Sequence, residues 1–370
     1  MEAVELRDEL LAEARRRGFA AAGVAEARPF RTARERALRA IDEGRMSGMD
    51  WYTPARVEAA ADLNARHPWG RSLLALAWPY RPAALGEAEP PAAPAGRPRG
   101  RVAAYACLDG DPGGGDGPAV DYHDLLARAC DSLVEWLRLR VPSVRAKRFV
   151  DHGWAMDRAV AECAGVGFAG KNTFLITPGA GSYVLLAEVL LDLELPPTAP
   201  SHRGCGSCSD CMPACPTGAI VEPGVIDSRR CIAYLTIEHR GPIPVELRPL
   251  IGTWAFGCDL CQEACPINLR LAPPPLPAGE VGVDRGPVPW PDLVACLELD
   301  AEAFAQRFKH TAIWRTGRAG LARNAAIALG NAGDPAVLPA LRRAAESDPD
   351  PVVREAASWS IAVLSEGGNR

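Results

Sequence analysis

The chain has 370 residues, enough for two or three domains and a sizeable core. Its 48% hydrophobic and 24% charged residues are ordinary for a globular protein, and a net charge of −5 excludes a general pull toward nucleic acid, so any RNA contact needs a local basic patch. No apolar run reaches the roughly 18 residues that a membrane helix requires, and the acidic, helical start Met1-Glu-Ala-Val-Glu-Leu-Arg-Asp is unlike a signal peptide; a cytoplasmic protein without membrane contact is expected.

In chain order, Leu6, Leu10, Leu11 and Ala14 alternate with charges, which predicts an amphipathic helix over 2–17 stopped by Gly18. Phe19–Ala25 suits a buried strand, and a second helix follows at about 31–43. Gly48-Met-Asp-Trp-Tyr52 is an unusual loop rich in large groups without strand alternation, for which the simplest reading is a core plug. Leu73–Tyr80 reads as a buried strand and 81–100 as an exposed Pro/Ala/Gly-rich loop. A short strand at Gly100–Ala106 leads into DGDPGGGDG at 109–117. That stretch lacks both the dinucleotide and the Walker spacing and is read as plain loop. Asp121-Tyr122-His123 opens a helix to about Arg140, and His123 either meets a ligand or caps the chain.

Phe149-Val150-Asp151 looks like a strand ending in a carboxylate, followed by a helix over Trp154–Gly165. Gly165-Val-Gly-Phe-Ala-Gly-Lys171-Asn172-Thr173 suggests a backbone that approaches a ligand closely, against the simpler reading of a sharp connection. Ser182–Leu195 reads as a long apolar strand. Strand–helix alternation up to residue 198 predicts an α/β domain.

Residues 199–275 carry eight of the twelve cysteines. Cys205-x2-Cys208-x2-Cys211-x3-Cys215-Pro216 has the bacterial-ferredoxin spacing, in which the fourth cysteine ligates the other cluster. Cys258-x2-Cys261-x3-Cys265-Pro266 keeps the second half of that pattern, with its first cysteine displaced to Cys231. Each iron of a cubane takes one thiolate, so eight cysteines suit two [4Fe–4S] clusters. By crossing, Cys205, Cys208, Cys211 and Cys265 are expected to hold one cluster, and Cys215, Cys231, Cys258 and Cys261 the other. Structural zinc also uses C-x-x-C pairs but has no need of the x3-C-P ending. Disulfides need an oxidising compartment, to which nothing in the sequence points.

A Pro-rich connector at 270–291 leads to a helical region, taken as 276–370. Arg323–Asn331 and Arg354–Ala362 repeat at about 30 residues' spacing, as in HEAT repeats. Residues 307–323 carry Arg307, Lys309, Arg315, Arg318, Arg323 and His310 without an Asp or Glu. This is a solvated helix face or a contact for an RNA backbone.

Taken together, the chain resembles the epoxyqueuosine reductases, cobalamin- and iron–sulfur-dependent enzymes of tRNA modification. The resemblance spans essentially the whole chain and rests on Phe149-Val-Asp151, the Gly165–Asn172 loop, the eight cysteines with displaced Cys231, Thr236-Ile-Glu-His-Arg-Gly241, and the C-terminal repeat. It implies a cobalamin-binding α/β domain like that of reductive dehalogenases, a ferredoxin-like domain, and an all-α HEAT-like domain. It implies reduction of the epoxide of epoxyqueuosine at the wobble position of tRNA, with cobalamin fed by the two clusters and an external low-potential donor such as flavodoxin or ferredoxin. A monomer is expected. Asp151 matches the catalytic acid, and burial beside the corrin is expected to raise its pKa enough to hold a proton near neutrality. Lys171, Asn172, Leu175 and Thr177, with Arg56, Ala103 and Ala233, are candidates to line the cobalamin. His239, Arg240, Arg315, Arg318 and Arg323 are candidates to meet RNA.

No stretch matches the D-x-H-x-x-G motif that offers histidine to cobalt, so the lower cobalt face is expected to lack one. The chain departs from the family where Cys107 and the Gly-rich insertion interrupt the approach to Asp121-Tyr-His. Cys107, Cys130, Cys163 and Cys296 are read as small buried residues. Two other readings are a reductive dehalogenase, which would be exported and need no basic repeat, and a non-catalytic electron-transfer or RNA-binding protein, against which Asp151 and the Gly-rich loop argue.

Overall fold

The computed structural model describes residues 2–80, 93–107, 121–151, 154–271 and 290–367. The Gly-rich insertion at 109–117 and most of the two Pro-rich connectors lie outside the described residues.

The elements follow the expected order. Helix α1 (Ala3–Arg16) buries Leu6, Leu10, Leu11 and Ala14, the stripe its periodicity predicts. Next come β1 (Ala21–Glu26), α2 (Arg31–Asp42), α3 (Pro54–Ala61), β2 (Ser72–Pro79) and the two-residue strand β3 (Arg101–Val102). Helix α4 (Tyr122–Arg138) is capped by the Asp121 side chain, which accepts from the His123 amide. Strand β4 (Ala146–Val150) and helix α5 (Asp157–Cys163) flank Asp151. The hairpin of β5 (Phe168–Ala169) with β6 (Leu175–Ile176) precedes β7 (Val184–Leu191).

The main sheet has the order β1-β2-β7-β4, and every pair in it is antiparallel. This corrects the α/β expectation, since such a domain has a mostly parallel sheet. Side-chain period identifies a strand but carries no information about its direction. Along β2, Leu74, Leu76 and Trp78 face the core of α1 and α4, while Leu73, Ala75 and Ala77 face that of α5. Alternation thus buries both faces of one strand, with a helix layer on each side.

The cysteine region contains β8 (Ile220–Glu222), β9 (Val225–Ile226), α6 (Ile232–Ile237), β10 (Trp254–Phe256), α7 (Leu260–Glu263) and α8 (Pro266–Leu269). Strand β10 pairs in parallel with β3, tying this region to the N-terminal one. The C-terminal part is helical: α9 (Leu293–Glu298), α10 (Ala301–Phe308), α11 (Gly317–Ala332), α12 (Leu338–Ser347) and α13 (Pro351–Gly367). A single apolar core runs from α1 and α4 through Leu235 and Phe256 to Leu329 and Val353, so the three regions share an interior. Among the described residues no helix is long and apolar enough to cross a membrane.

Candidate active site between the sheet, the cysteine region and the repeat

Three regions meet at Asp151. It follows the last residue of β4 and adopts a left-handed backbone, φ 46°, which turns the chain away from the sheet; aspartate tolerates this better than most residues. Its side chain is 58% exposed. The Tyr122 hydroxyl donates to Asp151 Oδ2, and His123 Nε2 lies 3.4 Å from the same oxygen. On its other side His123 Nδ1 is 2.8 Å from Asp121 Oδ1. Arg315 reaches in from the repeat and donates to Asp121 at 2.8 and 3.0 Å. The imidazole therefore stands between two carboxylates, with a guanidinium closing the group.

In the protein alone these neighbours oppose the rise expected for Asp151. Partial desolvation by the surrounding protein pushes its carboxyl up, but hydrogen bonds from His123 and Tyr122 and the charges of His123 and Arg315 prevail, so it lies below the ordinary carboxylate range. For His123 burial alone would drive the proton off, yet Asp121 and Asp151 hold it on and the net shift is upward. The same contacts thus draw Asp151 toward the carboxylate and His123 toward the imidazolium. Tyr122 and His123 thus join the candidate site; the sequence showed His123 only as one of two equal readings.

The arginines of the basic run separate. Arg315 joins the Asp151 pocket. Arg318 is paired in a double hydrogen bond with Asp348, both side chains nearly covered. Arg323 is fully buried and donates to the carbonyls of Leu235, His239 and Gly241 at 2.7–2.8 Å. Burial, with Arg240 and Arg248 nearby, pushes it down to about 10. Arg323 is therefore no RNA contact: it satisfies the open end of α6 and locks the repeat onto the cysteine region. Arg318 is likewise held within the repeat. Arg240 is exposed and donates to the carbonyls of Ile237, Arg315 and Thr316, and His239 Nε2 meets the Pro242 carbonyl at 3.0 Å. His239 and Arg240 thus sit at the same junction as Arg315.

The eight cysteines fall into two groups. Burial raises the Cys211 thiol, and Cys205, Cys265 and Cys208 add to the shift, so these four lie together. Burial likewise raises Cys258 and Cys261, with Cys231 beside both and Cys215 beside Cys261. Cys261 also feels Cys211 of the first group, which sets the groups next to each other. Two sets of four soft thiol donors fit two cubane clusters. Cys130 and Cys296 are buried as expected, but Cys107 and Cys163 are only partly so.

The Gly-rich loop docks on this region. Lys171 Nζ donates to the Gly206 carbonyl at 2.9 Å and Asn172 Nδ2 to the Cys261 carbonyl at 3.4 Å, one contact to each cysteine run. Thr173, a β-branched residue at φ 71°, marks a strained turn here. Leu175 is buried in the core beneath α5 and Ala103 is closed over by Gly257, so their side chains face protein. Ala233 is partly buried on α6. The Thr177 and Tyr183 hydroxyls are buried without a hydrogen-bond partner. Arg56 lies over the exposed Trp51 at 5.0 Å and over Trp154 at 5.4 Å. Trp51 is therefore not a core plug. Two orphaned hydroxyls and an exposed aromatic–cationic stack fit a large amphipathic ring with amide arms, as in cobalamin.

Comparison with known proteins decides the family. The model described as Epoxyqueuosine reductase QueG, DUF1730 matches residues 61–152. That for a 4Fe-4S double cluster binding domain matches 204–268, and that for HEAT repeats matches 311–364. The epoxyqueuosine reductase of Bacillus cereus is 32% identical over all of this chain and 91% of its own length. The chain belongs to the epoxyqueuosine reductase family. The epoxyqueuosine reductase of Escherichia coli K12 is 41% identical over 67% of this chain, and that match spans 65% of the relative's length. The one from Bacillus subtilis is 39% identical, over 66% of this chain and 63% of its own. A crystal structure of an epoxyqueuosine reductase with an epoxyqueuosine-modified tRNA-Tyr stem loop superposes with a TM-score of 0.84 at 32% identity, covering 98% of this chain and 91% of that one. An epoxyqueuosine reductase from Streptococcus thermophilus matches with a TM-score of 0.83 at 26% identity over the same shares. By the two family models, the cysteine region is an iron–sulfur domain and the C-terminal region a HEAT repeat.

Proposed function

We propose that the chain reduces the epoxide of epoxyqueuosine in tRNA to the alkene of queuosine, taking up two electrons and two protons and releasing water. The observation that carries this reading is the junction at Asp151, where Tyr122 and His123 bond the carboxyl and Tyr105, packed between Tyr122 and Phe256, feels both Asp151 and Asp259, the residue after cluster cysteine Cys258. When bound, the two clusters and a cobalamin supply low-potential electrons to the substrate. The ligand sets are Cys205, Cys208, Cys211 and Cys265 for one cluster, and Cys215, Cys231, Cys258 and Cys261 for the other. Cobalamin would be held by the Gly165–Asn172 backbone with Lys171, Thr177, Ala233 and Arg56, without a histidine on cobalt.

The residues of the chain then have separate tasks. Asp151, exposed and hydrogen-bonded by Tyr122, faces the substrate. His123 stores a proton between Asp121 and Asp151 and passes it through Asp151 to the epoxide oxygen, which leaves poorly without one. Arg315 holds Asp121, and so the tautomer and orientation of His123. Arg240 and His239 flank this junction, where the anticodon loop would arrive. The reading sets the protein in the cytoplasm as a monomer, served by an external low-potential donor.

Nucleosides of tRNA from a strain lacking the gene test the function: epoxyqueuosine should accumulate, wild-type gene should restore queuosine, and Asp151→Asn should not. Normal queuosine in the deletion strain would refute the activity. Restoration by Asp151→Asn would refute the role of that residue.

A further inference from the structure

Behind Asp151 lies a second acidic feature that the relay does not use. Glu188 sits in β7 among Leu186, Leu190, Phe149 and Val160, and is completely buried. It is the register partner of Phe149, so it lies across the ladder from the strand that ends at Asp151. Its neighbour is Asp157, the first residue of α5, whose Oδ1 is also sealed from solvent. Neither oxygen of Glu188, nor Asp157 Oδ1, has a donor within hydrogen-bond reach. The two carboxyl groups lie close enough to interact directly, where α5 packs on β7. Two carboxylates at such range repel; one carboxylic acid and one carboxylate can share a proton.

The energetics agree. An unpaired carboxylate in an apolar core costs several kcal/mol, and two side by side cost more. The charged groups that bear on the pair are Asp151 at the end of β4, Arg158 on α5 and the Cys130 thiol on α4. Only Arg158 is cationic, and it is exposed and already donates to the Thr173 carbonyl. Burial therefore dominates, with Asp151 adding to it: Asp157 is pushed up to about 7 and Glu188 is raised well above the ordinary range.

The reaction gives such a pair a task. Removing an epoxide oxygen as water consumes two protons, and Asp151 can deliver only one at a time. A bound anticodon loop covers Asp151 and cuts it off from bulk water. We infer that Asp157 and Glu188 share one proton in the resting enzyme and form an internal store that recharges Asp151 for the second transfer. Asp151 passes the proton it takes from His123 to the departing oxygen, and the shared proton then moves to Asp151. The strongly basic oxygen that leaves draws this proton out, which offsets the cost of leaving the pair briefly as two carboxylates, and the pair refills from solvent after product leaves. Only O–H bonds change partners in these steps, and the electrons are those of the reduction itself. Both residues act through Asp151 and touch no substrate. The inference rests on the proposed function.

Infrared spectra of the wild-type holoenzyme test it without any variant. A carbonyl band of a neutral carboxylic acid should persist at pH 7, shift on carbon-13 labelling of glutamate or aspartate, and vanish in Glu188→Gln. In parallel, reconstituted enzyme is assayed on an epoxyqueuosine stem loop. Glu188→Gln and Asp157→Asn should each lower kcat roughly tenfold to a hundredfold, the low end for proton transfer at one remove from the substrate. KM should be unchanged, and the lost rate should return as pH falls. Absence of the neutral band in active wild-type enzyme would overturn the store alone. So would variants with wild-type kcat and pH profile. A wild type that shows the band but leaves epoxyqueuosine untouched would overturn the function, and the proton-supply role with it.

Discussion

Asp151 and Asp157 stand close in sequence, and desolvation pushes both carboxyls upward, yet they end on opposite sides of the ordinary range. Around Asp151 stand a tyrosine hydroxyl, an imidazole and a guanidinium, and its pKa falls. Around Asp157 stand Glu188 and the charge of Asp151, with a single exposed arginine against them, and its pKa rises to about 7. Desolvation bears on both; what differs is whether the acid faces donors or another acid. The fold sets this difference, because α4 and the repeat bring donors to one side of Asp151 while β7 brings an acid to the other.

The strongest way to break the comparison is to remove the imidazole. In His123→Gln, Asp151 loses its nearest cation and the store for the first proton. We expect kcat to fall roughly tenfold to a hundredfold at neutral pH. In the wild type the upward shift of His123 keeps the proton on above its ordinary value of 6.5, so the rate should decline only as pH rises beyond that point. The variant should be slow throughout and lack this alkaline limb. Steady-state kinetics on the stem loop across pH give the answer, and a variant with an unchanged alkaline limb would show that His123 does not hold the proton.

A smaller effect separates the two acids by stability. Asp151 has a depressed pKa, so its stabilisation is present above its unfolded value of 3.8 and is lost as pH falls through its folded one. Asp157 is raised from 3.8 to about 7, so its contribution is complete below the unfolded value and is lost as pH rises through 7. Glu188→Gln removes the second acid and should flatten that loss. At about pH 8 the variant should melt higher than wild type, by about 2–4 °C for each kcal/mol relieved, while the two converge near pH 5. Thermal unfolding of both proteins measures it, and a variant that melts lower at every pH would mean that Glu188 is held as a stabilised carboxylate.

Legibility in the sequence follows the same division. Helices α1 and α4, the buried strands and the eight cysteines were readable because each depends on local period or spacing: Leu6–Leu10–Leu11, or Cys258-x2-Cys261. The direction of the strands was not, because period carries no sign. Glu188 lay inside an apolar run, and nothing local placed it beside Asp157. The basic run at 307–323 held no acid of its own, yet Asp121 and Asp348 neutralise Arg315 and Arg318 from elsewhere, and carbonyls of the cysteine region enclose Arg323. Charge partners in a folded chain are chosen by topology, so a one-dimensional charge count finds the arginines but not their tasks.

The two arginines that border the acids supply the finest test. Arg315 is half-buried and bonded to Asp121, and its charge is felt by Asp151. Arg158 is felt by Asp157 in the same sense but stands in solvent, with its guanidinium on the Thr173 carbonyl. A charge exposed in this way is screened and is worth only about 0–1 kcal/mol to its partner. Arg158→Gln should therefore raise the titration of the Asp157–Glu188 pair by less than about 0.7 of a pH unit, on the conversion of about 1.4 kcal/mol per unit. The infrared band of the neutral acid, followed against pH, reads this directly. A shift of more than about one unit would mean that Arg158 balances the pair as Arg315 balances Asp151, and that the contrast between the two acids lies in the strength of their cations rather than in the acid that β7 carries.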